Sequence, residues 1–187
     1  MRKIINISLN SKDINNAIKE INNWSSEIKR AAQKSIEDLA KLGKQEAENN
    51  YNSKPYQAST GMNFGINNEG LNRKEVYMSG PQAIYEEFGT GTEGENNPHP
   101  EKDGKGLNDY NSGPTIRPAK KALYTTRDHK KIGEGELYWT YVDESGKVIY
   151  TQGIPAGKEM YDSMKTVVKK APQIIEEEIE GVFKWFH

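Results

Sequence analysis

The chain has 187 residues, enough for one domain with a real core. Its 26 Lys and Arg stand against 27 Asp and Glu, a formal net charge of −1, which argues against a global electrostatic grip on nucleic acid. It contains no cysteine, excluding disulfides and thiolate metal sites, and no apolar run nears the ~20 residues of a membrane span.

Only 34% of residues are hydrophobic, and the mean hydropathy is −0.91. A chain this polar is expected to leave part of itself unpacked in isolation. Residues 1–6, Met-Arg-Lys-Ile-Ile-Asn, lack a signal-peptide core and cleavage site, so synthesis and use in the cytoplasm are expected.

Taken in order, residues 3–9 read as a strand, with Ile5, Ile7 and Leu9 alternating with polar positions. Ser11 suits a helix cap, and Asp13 favours the positive end of the helix dipole. Ile14, Ala17, Ile18, Ile21 and Trp24 follow at helical spacing. Ser25 or Ser26 is a point where a second helix could restart. Its narrow stripe runs through Ile28, Ala31, Ser35, Leu39, Ala40 and Gly43, and Asn49 and Asn50 are expected to end it. The small residues in that stripe allow close approach to a sheet or another helix.

A β region follows. Met62, Phe64 and Ile66 alternate with polar residues, Asn67-Asn68-Glu69-Gly70 is a turn signal, and Val76 and Met78 continue on a return strand. Residues 83–88 fit either a third strand or one helical turn. Periodicity does not choose, because Ile84 and Phe88 share a face in both.

Residues 90–136 hold seven of the 17 glycines and four of the eight prolines. They are expected to form an extended loop or arm, with one ordered island around Pro118, inside a single α+β domain spanning 1–187. Leu137, Trp139 and Tyr141 then alternate with Tyr138, Thr140 and Val142. Asp143-Glu144-Ser145-Gly146 turns the chain onto Val148 and Tyr150, the clearest hairpin in the sequence. A last helix carries Met160, Met164, Val167, Val168, Ala171, Ile174, Ile175, Ile179, Val182 and Phe183. Pro172 is expected to kink or split it. The fold class is therefore α+β, with a small, mostly antiparallel sheet packed against long N- and C-terminal helices.

Little here looks catalytic. Glu86 and Glu87 are adjacent, so their side chains diverge by about 100° in a helix or point to opposite faces in a strand. One solvated Glu and one that orders the following glycine loop is the bland expectation. His99, His129 and His187 show no metal-ligand spacing and are expected to be exposed. Gly89-Thr90-Gly91-Thr92-Glu93-Gly94 resembles a phosphate loop only superficially. It lacks the Gly-Lys-Ser/Thr ending, and loop, not helix, is expected after it. Those glycines are better explained by positive φ and a sharp exit from Phe88. No catalytic residue, cofactor or metal is therefore expected.

Arg117, Lys120 and Lys121, then Arg127, His129, Lys130 and Lys131, form a local basic stretch, more commonly a solvated face than a nucleic-acid site. The terminal Phe183-Lys184-Trp185-Phe186-His187 is strongly aromatic and suits packing on its own sheet or on a neighbouring subunit.

Three segments together resemble a known family. They are Tyr85-Glu86-Glu87-Phe88-Gly89-Thr90-Gly91; Ile116-Arg117-Pro118-Ala119-Lys120-Lys121-Ala122-Leu123; and Thr151-Gln152-Gly153-Ile154-Pro155-Ala156 leading into the last helix. In this order they look like the head–tail connector family of long-tailed bacteriophages, also described as tail-completion or minor tail components. The resemblance spans most of residues 25–180. Lys158-Glu159-Met160 stand where the family often carries a bulky pair.

The resemblance implies a non-enzymatic virion protein, made in the host cytoplasm and placed at the head–tail junction. It would close with copies of itself into a ring, commonly a hexamer. Its other partners would be a head-side connector or portal-associated protein and a tail tube or tail terminator protein. A transient contact with DNA would be useful there, and no membrane is implied. Interface residues would lie at Tyr85, Glu86, Glu87, Phe88, Gly89, Thr90 and Gly91, at Ile116, Arg117, Pro118, Lys120 and Lys121, and at Trp185 and Phe186. Two other classes compete: a small hydrolase using Glu86 or Glu87 with His99 or His129, and a nucleic-acid binder using 117–131.

Overall fold

The computed structural model describes residues 11–54, 61–80, 83–101, 117–126, 129–142 and 145–184. The strand expected at 3–9, Ile116, Arg127, and the aromatic tail with Trp185, Phe186 and His187 lie outside them, as does the middle of the 90–136 stretch.

Helix α1 (Ser11–Asn52) is a single helix of 42 residues, about 63 Å long at 1.5 Å per residue. The expected restart at Ser25 or Ser26 does not occur. Ser26 stays in register by donating its hydroxyl to the Asn22 carbonyl one turn back, 3.0 Å away. Helix α4 (Glu159–Lys184) runs antiparallel along it. Ser163 donates to the Gly43 carbonyl at 2.6 Å near one end. The Trp24 and Phe183 rings meet edge-on at 5.8 Å near the other. Pro172 does not split α4, which continues through it.

Between the helices come β1 (Asn63–Asn68) and β2 (Lys74–Ser79), an antiparallel hairpin pairing Phe64 with Met78 and Ile66 with Val76. Phe64 reaches the Tyr51 ring of α1 at 5.7 Å. Gly43 is where α1, the hairpin and α4 converge. A methyl group there would stand 3.3 Å from Val167 and 3.4 Å from Val76. The small-residue stripe on α1 thus serves both uses the sequence allowed, a sheet and a helix.

Residues 83–88 form a helical turn, α2 (Ala83–Phe88), followed by α3 (Gly91–Asn96). Helix α3 therefore begins inside the glycine cluster, and residues 97–100 after it are irregular, as expected. The described part of 90–136 also contains β3 (Arg117–Pro118), β4 (Leu123–Tyr124) and β5 (Lys131–Ile132). β4 and β5 pair with each other, and Ile132 is fully buried. β3 pairs with β6 (Leu137–Val142), which forms the expected hairpin with β7 (Val148–Thr151). A short β8 (Gly153–Ile154) leads to α4. The fold is α+β, with every described strand pair antiparallel. No described helix is long and apolar enough to cross a membrane.

Candidate functional site

The first and third of the singled-out segments meet. The last carbonyls of α2 find no partner within so short a helix. Instead Glu86 accepts from the Gly157 N–H at 2.6 Å, and Glu87 from the Lys158 N–H at 3.1 Å. Thr90 bridges to Ile154 and Gly91 to Gly153 in antiparallel fashion. The Glu93 N–H donates to the Gln152 carbonyl at 3.2 Å, so the first turn of α3 faces protein backbone. The backbones approach closely because they carry no side chains there. Gly89 and Gly153 have φ of 75° and 98°. A methyl group on Gly153 would drive into the Thr90 carbonyl oxygen, and one on Gly89 would lie 2.9 Å from that of Ile154.

The same clasp begins α4. Four N–H groups at a helix start lack intrahelical partners. Glu87 reaches across from α2 and satisfies two. Its Oε2 accepts from the Met160 N–H at 2.8 Å, and its Oε1 from the Tyr161 N–H at 2.9 Å. The carboxylate also sits at the positive end of the helix dipole. His99, only 3% exposed, adds a third bond, its Nε2 lying 3.1 Å from Glu87 Oε1. Its Nδ1 accepts from the Glu101 N–H at 3.0 Å, so the ring hydrogen belongs on Nε2, pointing at Glu87. The ring lies between Phe88, with centroids 4.4 Å apart, and the edge-on Tyr161 at 5.1 Å.

This corrects two expectations. Neither Glu86 nor Glu87 is solvated; both are buried. His99 is buried as well. Helix-start demand brings these groups together over distances that periodicity does not register. The local sign was the flanking Pro98 and Pro100, which restrict φ on either side of the histidine. His129, by contrast, is exposed as expected.

A second carboxylate, to which the sequence assigned no site role, lies beneath the clasp. Glu159 is 0% exposed. Its Oε1 accepts from Lys54 Nζ, which also donates to the Gly157 carbonyl. Among the described residues its Oε2 has no hydrogen-bond partner. Burial raises the Glu159 carboxyl above its ordinary 4.5, against the opposing pull of the Lys54 ammonium. The sign of the linkage follows. A raised carboxyl pKa contributes stability below pH 4.5 that is lost as pH rises through the folded-state value. Glu159→Gln, which cannot ionise, should therefore gain stability relative to wild type as pH rises above 4.5. Thermal melts of both proteins across that range check this, and a pH-independent difference would refute it.

Beside the clasp opens a groove of about 700 Å³. Its walls are mostly apolar, with Leu39 from α1, Val76 from β2, Ile84 and Phe88 from α2, and Met164 from α4. Ile84, Tyr77 and Met164 remain substantially exposed at its rim, as does Tyr85 nearby. Glu87 and His99 form one wall, with both carboxylate oxygens and both ring nitrogens already bonded.

The remaining expected residues lie elsewhere. Pro118, Lys120 and Lys121 are exposed around β3, which pairs with Leu137 and Tyr138 of β6. Lys130 pairs with Glu93 of α3, tying part of the basic stretch to the start of that helix. Among the described residues no three His, Cys, Asp or Glu side chains gather as a metal centre would. Comparison with protein-family models, curated proteins and solved structures finds no match to this chain.

Proposed function

We propose that this chain is a non-enzymatic assembly protein of a phage virion, acting as a ring at the head–tail junction. In this reading, copies of the chain, six in the commonest arrangement, join a head-side connector or portal-associated protein to the tail tube or its terminator. The observation that carries the reading is the clasp. Two of the three segments that resemble the connector family, though far apart in sequence, bind each other and order the start of α4. Next to that rigid junction lies an apolar groove with exposed aliphatic and aromatic rims, a surface suited to binding another protein.

The distance between Glu87 and His99 is what favours a hydrolase. Their bonding favours a structural role. A general base needs a lone pair facing substrate, and here every one of those four polar atoms serves the fold. Exposed Lys120 and Lys121 leave room for a passing contact with DNA phosphate.

Ile84→Glu tests the reading. Ile84 is half exposed on the groove rim, so the change should cost less than about 1 kcal/mol of stability. It should nevertheless abolish incorporation into particles, leaving unjoined heads and tails in electron micrographs of lysates. Normal tailed particles carrying the folded variant would refute groove-mediated assembly.

A further inference from the structure

Helix α4 has a second apolar face, beside the one that packs on α1, and Met164 at one end of it also stands at the groove rim. Met164, Val168, Ile175 and Ile179 are 49%, 67%, 40% and 37% exposed. At about 100° per residue they fall, with Ala171, inside a sector of about 80°. Their spacing is palindromic. Met164 and Ile179 lie equally far from the point between Ala171 and Pro172, and so do Val168 and Ile175.

The charges beside this stripe are arranged in the opposite sense. Lys165 and Lys169 occupy one flank in the first half of the helix, and Glu176 and Glu180 continue the same flank in the second; all four are exposed. Lys165 lies 3.9 Å from Asp162, but that pair is itself more than half exposed and weakly held. A twofold axis through the midpoint would lay α4 antiparallel on α4 of a second copy. Met164 would then face Ile179 of the second copy, and Val168 its Ile175. Lys165 and Lys169 would sit beside the glutamates of the second copy. A parallel twofold pairing would put the two charged flanks on opposite sides of the contact, where the lysines would not meet these glutamates. At the axis stand Ala171 and Pro172, whose small side chains permit close approach.

We infer that the free protein forms an antiparallel twofold dimer through this face of α4. The inference does not rest on the assembly reading. A twofold contact closes at two copies, whereas a larger ring needs a head-to-tail contact. Where the assembly reading also holds, the α4 dimer is a form that precedes ring entry. The stripe is about 22 Å long, at the small end of specific interfaces, so the dimer should be weak and dissociate in the micromolar range.

Sedimentation equilibrium at about 100 µM should give a dimer, and V168E should give a monomer with an unchanged far-UV spectrum. The charge pattern supplies a sharper test. K165E/K169E makes the flank uniformly acidic and E176K/E180K makes it uniformly basic. Each variant alone should be monomeric, while an equimolar mixture should recover the dimer as a heterodimer. Because the chain has no cysteine, single introduced thiols are unambiguous. Under mild oxidation A171C should cross-link to itself, and V168C, displaced from its own copy by about 10 Å along the axis, should not. A monomeric or ring-forming wild type at this concentration, a mixture that stays monomeric, or ready self-cross-linking of V168C would overturn the dimer. The Ile84→Glu particle assay reads the groove separately, because Ile84 lies on α2, outside the α4 stripe.

Discussion

Glu87→Ala should destabilise the protein by about 3–5 kcal/mol, a large share of a domain's usual margin. The carboxylate accepts three hydrogen bonds, from two N–H groups at the start of α4 and from His99. Removing it leaves three donors at once without their acceptor, and each costs about 1–3 kcal/mol if left unmet. It also removes the negative charge at the helix start. His99→Ala should cost less, about 2 kcal/mol, because Glu87 keeps both backbone donors. The double variant should fall short of the summed losses, since both changes break the same bond. Urea denaturation of the three variants measures all of this. A Glu87→Ala midpoint within error of wild type would remove the clasp from the stability of the fold, and with it the structural account of why this glutamate is buried.

The second large effect is expected at Gly153. Alanine there should cost about 3 kcal/mol or more, from the sum of two terms. Its φ of 98° lies where an L side chain is strained. Its added methyl group would press into the Thr90 carbonyl in the bridge between the two segments. Gly146 separates these terms. It has a similar φ of 81° but open space around it, so Gly146→Ala should show the conformational term alone, about 1 kcal/mol. Thermal or chemical melts of the two variants give the contact term by difference. Equal losses would mean that the close approach of 89–91 to 153–157 does not hold the protein together.

Both predictions concern one device. A short helix cannot satisfy its own ends, and α2 is six residues long. Its C-terminal carbonyls and the N-terminal donors of α4 are each other's solution, with Glu87 supplying the acceptors that backbone alone cannot. The device ties the hairpin-bearing half of the chain to the C-terminal helix. It also sets the angle at which Ile84 and Phe88 line the groove. Binding at the groove and integrity of the clasp are therefore coupled in the fold yet separable by experiment, because Ile84 touches the groove and takes no part in the bonds around Glu87.

Local patterns made much of this legible in the residues themselves. The alternation at 62–66 and 137–141 specified two hairpins, because a half-buried strand needs period two and a turn between its arms. The small-residue stripe through Ala31, Ala40 and Gly43 announced a close approach, since only small side chains admit one. The positive φ at Gly89 and Gly91 followed from glycine at the exit from a helical turn. Other features were not legible. Composition suggested an arm over 90–136, yet α3 and β3 form within it against partners remote in sequence, and β4 and β5 pair with each other. Serines at 25 and 26 looked like a break, but propensity is a weak prior and packing along α4 overrides it.

What the sequence determined by itself was the α+β class, the hairpins, the two long helices and the glycine-lined turn, because each depends on residues a few positions apart. Only the tertiary structure decided that Glu87, His99 and Glu159 are buried, that 85–91 clasps 151–157, and that α4 leaves a palindromic apolar face outside. The reason is physical. Burial and hydrogen-bond satisfaction are settled by whichever groups arrive from elsewhere in the chain, and a helix end with unmet donors accepts any carboxylate that the fold can bring to it.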